Sequence, residues 1–331
     1  MKIGILGAGG IASMMAVTLG GLLKEGITQD GESVELYAVA ARDAERAEKF
    51  AEKYAFQKSF GSYQEMLSDE ELELVYVATP HSHHYEHVKL CLEYGKNVLC
   101  EKAFTVNAAQ AEEIIKLAED KGLLLTEAIW TRYMPMRKTL DDVVASGIIG
   151  KITSMSANLG YVIEGNQRLV DPALAGGALL DLTVYPINMA LMVFGDDIKK
   201  IDAMCVMTPT GVDGQDTVIF TYHDGTMVTM YTTIHAQTDR RGIINGSKGY
   251  IQVKNINNYE AIKVYDLNRK LVKKYEAPKQ VTGYEYEVLA SMRAIRAGKL
   301  ECEEMPHSET IKVMKILDQI RQGYGIKYPF E

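Results

Sequence analysis

Lys2-Ile3-Gly4-Ile5-Leu6-Gly7-Ala8-Gly9-Gly10-Ile11-Ala12 runs from a short apolar stretch through a cluster of glycines into residues that favour a helix. Its second half spells G-x-G-x-x-A. Gly7 permits a tight turn, Gly9 lets the backbone approach a pyrophosphate, and Ala12 lets helix pack closely on strand. The N–H groups at the start of the helix then face the anion. Ordinary strand-to-helix turns carry similar glycines, so context decides. No residue from Ile3 to Leu23 is charged, and length alone allows a membrane span or a leader. Six glycines inside it (Gly4, Gly7, Gly9, Gly10, Gly20, Gly21) weaken a spanning helix and favour strand, turn and helix. The mature chain is expected to start at Met1, with no export signal and no membrane segment.

Working outward, the apolar runs Lys2–Leu6, Val34–Ala40, Leu74–Ala78, Asn97–Cys100 and Leu123–Thr126 alternate with helical patterns at Asp43–Tyr54, His83–Tyr94 and Ala108–Lys121. This alternation predicts βαβ units and a doubly wound parallel sheet covered on both faces. After Thr126 the pattern changes to runs rich in Val, Ile, Thr and Tyr at Ile152–Tyr161, Thr217–His223, Thr226–His235 and Tyr250–Val253. Hairpins are expected at Asp224-Gly225 and at Asn268-Arg269. Helices are expected at Tyr284–Ala297 and Ser308–Gly323, the latter with Ser308 as N-cap. The fold class is α/β: a Rossmann domain over residues 1–126, then an α+β domain with a mostly antiparallel open sheet over 127–331.

Composition sets outer limits. The 331 residues carry 36 Lys+Arg against 44 Asp+Glu, a net charge of −8. An acidic chain lacks the basic footprint of a general nucleic-acid binder. The four cysteines, Cys91, Cys100, Cys205 and Cys302, form no CxxC pair, which fits reduced thiols in the cytoplasm.

The second strand ends Val39-Ala40-Ala41-Arg42-Asp43-Ala44-Glu45-Arg46. NAD sites usually place an acidic residue at this end for the ribose 2′-hydroxyl. Here Arg42 and, one helical turn on, Arg46 suit a 2′-phosphate. NADP is the expected cofactor and NAD the alternative, because Asp43 stands close enough to take the acidic role. Lys102 follows another buried strand, at the sheet edge where such folds bind ligands. Partly desolvated beside a cationic nicotinamide, a lysine there can exchange a proton with substrate. Asp181 and Tyr185 share a face if their segment is helical, and Pro186 places a helix start nearby. Asp181 is otherwise a plain N-cap, and Trp130, the one tryptophan, otherwise core packing.

With these segments the chain resembles the Gfo/Idh/MocA oxidoreductases, and within them the branch of dihydrodiol and NADP-dependent xylose dehydrogenases. The resemblance rests on Ala40-Ala41-Arg42-Asp43, Leu99-Cys100-Glu101-Lys102, Glu127-Ala128-Ile129-Trp130-Thr131-Arg132 and Gly176-Gly177-Ala178-Leu179-Leu180-Asp181-Leu182-Thr183-Val184-Tyr185. The family's Glu-Lys-Pro reads Glu101-Lys102-Ala103 here, so a less constrained loop is expected. The resemblance implies Lys102 and Tyr185 as the acid/base pair and Asp181 in support. It places Trp130 in the substrate pocket and Arg42 and Arg46 on the 2′-phosphate. It extends the cofactor-binding set to Gly7, Gly9, Gly10, Ile11, Ala12, Ala41, Thr79, Pro80, His84, Glu101, Lys102, Trp130 and Arg132.

The run His81-Ser82-His83-His84-Tyr85-Glu86-His87 has spacing that zinc can use. No carboxylate cluster completes it, so no metal is expected and His83 and His87 are read as exposed. The expected activity is hydride transfer between NADP and a hydroxyl or hemiacetal carbon of a sugar or cyclic diol. The alternatives are sugar interconversion with retained NADP and a non-catalytic NADP-binding regulator; loss of Lys102 or Tyr185 would have favoured the regulator. Arg168 and Asn166, in the loop Tyr161–Leu174, are candidates to meet substrate hydroxyls. Strands Thr217–Tyr222 and Met227–Ile234 carry apolar residues on both alternations. A homo-oligomer, dimer or tetramer, is therefore expected through this sheet.

Overall fold

Apolar runs covered on both faces build the first sheet. In the computed structural model, which describes residues 1–331, six strands pair in parallel: β1 (Lys2–Leu6), β2 (Glu35–Ala40), β3 (Lys58–Phe60), β4 (Leu74–Val77), β5 (Asn97–Glu101) and β6 (Leu125–Ala128), in the order β3-β2-β1-β4-β5-β6. Between them run α1 (Gly10–Glu25), α2 (Ala44–Tyr54), α3 (Tyr63–Leu67), α4 (His81–Glu93) and α5 (Ala108–Lys121). α5 shows the local logic. Asn107 caps it by accepting from the Gln110 N–H at 3.0 Å, and Ala111, Ile114, Ile115 and Ala118 form its buried face. The chain runs one way from β1 to β3 and the other way from β4 to β6, so the sheet has its switch point between β1 and β4.

The second sheet has eight strands, in the order β14-β13-β12-β11-β7-β10-β9-β8. After α6 (Pro135–Ala145) come β7 (Ile152–Gly160), α7 (Gln167–Val170), α8 (Val184–Phe194), β8 (Ile198–Met207), β9 (Asp213–Tyr222), β10 (Met227–Thr233), β11 (Gly242–Gly246), β12 (Gly249–Lys254), β13 (Ala261–Asp266) and β14 (Leu271–Glu276). All neighbours are antiparallel except β7 and β10, which run parallel. Val218, Phe220, Val228 and Met230 alternate onto the buried face, and α8 packs on β7 and β10. The stretch Pro172–Phe194 is long and apolar enough to cross a membrane, and 83% of its most apolar window is buried inside the protein.

Two compact units result: Met1–Tyr133 with Gln280–Met314, and Met134–Lys279 with Lys315–Glu331. The single boundary expected after residue 126 is corrected by this division, because the chain returns to the first unit. The return has a packing cause. α9 (Glu285–Arg296) lays Val288 and Met292 into the core of Ile3, Ile5, Leu19 and Val39 and packs on α1 and β5. Each fully buried side chain of this kind contributes about 1.5–3 kcal/mol. The Leu300 carbonyl also accepts from the Leu125 N–H at 3.0 Å. The last helix, α10 (His307–Tyr324), begins one residue before Ser308, so Ser308 lies inside its first turn and is not the N-cap. The Pro306 carbonyl takes the Glu309 and Thr310 N–H groups there.

Candidate active site

Parallel strands deliver their C-terminal ends to one edge, and the first unit's expected residues gather along it. Gly7 follows β1 with φ at +113°, and a Cβ there would meet the Ala78 carbonyl at 3.0 Å. Only glycine fits both conditions. Gly9 stands at the N-cap of α1 with no side-chain cap, and a Cβ at Gly9 or Gly10 would meet nothing within 4 Å. The first N–H groups of α1 thus open onto space shaped for an anion. Ala12 is fully buried against the sheet. Ala41 is buried after β2 and Arg42 is exposed. Arg46 lies over the glycine turn, its Nε and Nη2 donating to the Ala8 carbonyl at 3.2 and 2.7 Å. Asp43 caps α2 by accepting the Glu45 and Arg46 N–H groups. The cap engages Oδ1 alone.

Beyond β4 and β5 the loops are tied together. His84 is buried, with Nε2 at 2.7 Å from the Thr79 carbonyl and Nδ1 at 2.9 Å from the Ala103 carbonyl. The ring thus lies between the carbonyls of the two loops and bridges them. The expectation of a looser loop at Ala103 is corrected: the residue is fully buried and held through His84. Lys102 is half-buried beside this anchor, and its N–H donates to Glu101 Oε2 at 3.1 Å. Pro80 is the N-cap of α4. His83 and His87, read as exposed, are half-buried. His87 Nδ1 lies 2.9 Å from Thr79 Oγ1 and its ring meets Tyr63 edge-on, and burial with the neighbouring His83 pulls it down to about 4. No group of three or more His, Cys, Asp or Glu is arranged to hold a metal ion.

Trp130 is buried, stacks on Tyr284 with ring centres 4.1 Å apart, and leaves its Nε1 without a hydrogen-bond partner. Arg132 is buried and paired with Glu309 Oε2 at 2.9 Å. In the second unit, Asp181 and Tyr185 are both buried. Asp181 lies in a wide π-type turn, Leu179–Thr183, that leads into α8 with Pro186 in its first turn, so it is not an N-cap. Its Oδ1 accepts from Arg168 Nη2 at 3.0 Å. Asn166 caps α7 at the Arg168 N–H. Gly177, before the turn, has φ at +118°, and a Cβ there would come 2.3 Å from Asp213 Oδ1. Gly177→Ala is expected to cost about 1–3 kcal/mol through strain alone, read as a lower midpoint in urea.

An NAD-binding Rossmann model of the oxidoreductase family Gfo/Idh/MocA matches residues 1–129, and the model of that family's C-terminal domain matches residues 138–252. The chain belongs to the Gfo/Idh/MocA family. It is an oxidoreductase that takes a nicotinamide dinucleotide. It is 36% identical over 301 residues to the trans-1,2-dihydrobenzene-1,2-diol dehydrogenase of Macaca fascicularis, covering 89% of this chain and 90% of that one. It is 35% identical over 374 residues to the D-xylose 1-dehydrogenase (NADP(+)) of Hypocrea jecorina, covering 99% and 93%. In fold it is similar to a 3-ketoreductase from Actinomadura kijaniata solved with NADP and TDP-benzene, at a TM-score of 0.86 and 23% identity over 98% of this chain and 97% of that one.

Within this Gfo/Idh/MocA frame, Glu101 belongs to the expected cofactor-binding set, whereas the buried Glu127, Glu285, Glu287, Asp213 and Asp216 carry no role that the sequence indicated. Four carboxyls, those of Glu101, Glu127, Glu285 and Glu287, are buried in the first unit. Glu101 is bonded by the Tyr76 hydroxyl. Burial pushes Glu127 up to about 7. Burial and the Glu101 charge push Glu287 well above its ordinary value. In the second unit Asp213 and Asp216 are buried below the wide turn. One signal for Asp216 stood in the sequence: it is in phase with Val218, Phe220 and Tyr222, on the alternation that faces inward.

Proposed function

We propose that this chain is an NADP-dependent oxidoreductase acting on the hydroxyl or hemiacetal carbon of a sugar or cyclic diol. One observation carries the reading. The edge of the first unit's parallel sheet gathers an uncapped helix N-terminus behind Gly9, two arginines after β2 in place of a free acid, and Lys102 after β5. The donor set fits a dinucleotide phosphate: backbone N–H groups for the pyrophosphate, guanidinium groups for the 2′-phosphate. The relatives named for dihydrodiol and NADP-linked xylose oxidation support the substrate class.

When bound, the nicotinamide ring supplies the hydride acceptor or donor. Lys102 takes the proton of the reacting hydroxyl during oxidation and returns it during reduction, with Tyr185 as its acid/base partner and Asp181 in support. Arg168 orients the Asp181 carboxylate through their 3.0 Å contact. The stacked rings of Trp130 and Tyr284 form a buried apolar pair just after β6. A panel of aldoses, inositols and dihydrodiols, followed by NADPH absorbance, tests the reading: turnover of one class supports it, and no turnover with any of them overturns it.

We infer further that the chain forms a dimer or larger oligomer through the second sheet. Met204, Val206 and Met227 are 68%, 57% and 46% exposed. They lie on the face of β8, β9 and β10 opposite Val218, Phe220, Val228 and Met230. An apolar face of this kind favours self-association. Sedimentation at micromolar concentration is expected to give at least twice 36.8 kDa, and Met204→Lys with Val206→Lys to lower it; a wild-type species at the monomer mass refutes the oligomer. The unpaired cysteines support a reducing, cytoplasmic setting for it.

A further inference from the structure

The wide turn that carries Asp181 is held at both ends by side chains from the sheet beneath it. At its start, Asp213 Oδ2 on β9 accepts from the Leu179 N–H at 2.5 Å. At its end, the Thr183 hydroxyl donates to Asp216 Oδ2 on β9 at 2.7 Å, lies 2.6 Å from the Thr232 hydroxyl on β10, and reaches back to the Ala178 carbonyl at 3.2 Å. Thr183, Asp216 and Thr232 are each no more than 1% exposed. A π-type turn shifts its hydrogen bonds by one residue, and the side chains that follow point in a different direction from those of a regular helix. The backbone closes that register, the Val184 N–H donating to the Leu179 carbonyl five residues back, and the Thr183 hydroxyl ties the end of the turn to the sheet. Asp181 lies two residues before Thr183 and Tyr185 two residues after it, so the angular offset between them is set at Thr183.

We propose that Thr183 is a positioning residue for the reaction: its hydroxyl, locked between Asp216 and Thr232, fixes the wide turn and thereby aims Asp181 and Tyr185. Burial raises both the Asp213 and Asp216 carboxyls, and the neighbouring Asp213 charge raises Asp216 further. The bonded oxygens are Asp213 Oδ2 and Asp216 Oδ2, while Oδ1 of each carboxyl has no hydrogen-bond partner. Thr183→Val keeps the shape of the side chain and removes the hydroxyl. Asp216 and Thr232 lose a partner, and the turn is free to relax into regular helix. A merely structural threonine would lose stability without moving the acid/base groups.

The inference rests on the reading that Asp181 and Tyr185 serve catalysis, and two measurements separate the two. The first is steady-state kinetics of the full-length enzyme on the substrate found in the panel. Thr183→Val is expected to lower kcat by about 10²-fold, the loss that follows a misplacement of about 1 Å. The KM for NADPH should stay unchanged, and Thr183→Ser, which restores the hydroxyl, should return kcat to near the wild-type value. The second needs no substrate: crystal structures in which Thr183→Val separates Asp181 from Arg168 and Thr183→Ser keeps their 3.0 Å contact. Wild-type kcat or an unmoved Asp181 in Thr183→Val overturns the inference, as does a Thr183→Ser enzyme as slow as the valine variant. If Thr183→Val does not fold, Thr232→Ala, which removes one partner of the hydroxyl, is expected to slow turnover with KM for NADPH kept, and unchanged turnover overturns it. If the wild type turns over nothing in the panel, the sugar reading falls and the crystallographic comparison still decides the role of Thr183.

Discussion

Lys102→Met is expected to lower kcat by about 10²–10⁴-fold on any substrate the wild-type enzyme turns over, the range supplied by a positioned acid/base group. Methionine keeps the length and apolar stem of the side chain and removes the ammonium. Glu101 is held by the Tyr76 hydroxyl and by the Lys102 backbone N–H, and the loop beyond by His84 on the Ala103 carbonyl, so all three anchors survive the substitution. The dissociation constant for NADPH, read by fluorescence quenching, should therefore change little. An unaltered kcat removes Lys102 from the proton transfer, whereas a parallel loss of cofactor binding assigns it to the cofactor instead.

Arg42→Ala is expected to weaken NADPH by about tenfold to a hundredfold, the worth of a charge-assisted hydrogen bond to phosphate, and to leave NADH nearly unchanged. Arg42 is exposed after β2, with no other structural duty visible in its surroundings. Arg46 differs. It donates twice to the Ala8 carbonyl in the glycine turn, so Arg46→Ala should weaken both cofactors. Titration of each variant with the two cofactors separates the effects. Equal losses for NADPH and NADH in Arg42→Ala would remove it from the 2′-phosphate.

Much of the first unit was legible because its signals are local. The strand, the glycine turn and the helix of Lys2 to Ala12 are contiguous, and parallel pairing carries Arg42 and Lys102 to the same edge from their positions after β2 and β5 alone. What escaped needed the third dimension. The helical pattern at Glu285–Arg296 gave the helix but not the core it fills, since periodicity says that a face is buried and not where. β8 was missed because Lys199, Lys200 and Asp202 interrupt it and most of its residues are exposed at the sheet edge. The i, i+4 spacing of Asp181 and Tyr185 gave a shared helical face, but a π-type turn at Leu179–Thr183 changes that phase and is decided by Asp213, Asp216 and Thr232 from distant strands. Asp43 was open between two roles in the sequence, and the structure adds a third, as the N-cap of α2.

The return of residues 280–314 to the first unit also has a consequence for birth on the ribosome. The nucleotide-binding unit is translated first but cannot finish folding first, because α9 carries part of its core and leaves the exit tunnel after the whole eight-stranded sheet. Roughly 150 residues lie between, a wait of about 10–30 s at ordinary elongation rates. During that interval the α1 and β5 surfaces that α9 covers face solvent. The growing chain is exposed there to chaperones and to chance association, and a nascent chain arrested before residue 280 should be cut by protease in segments that the finished protein shields.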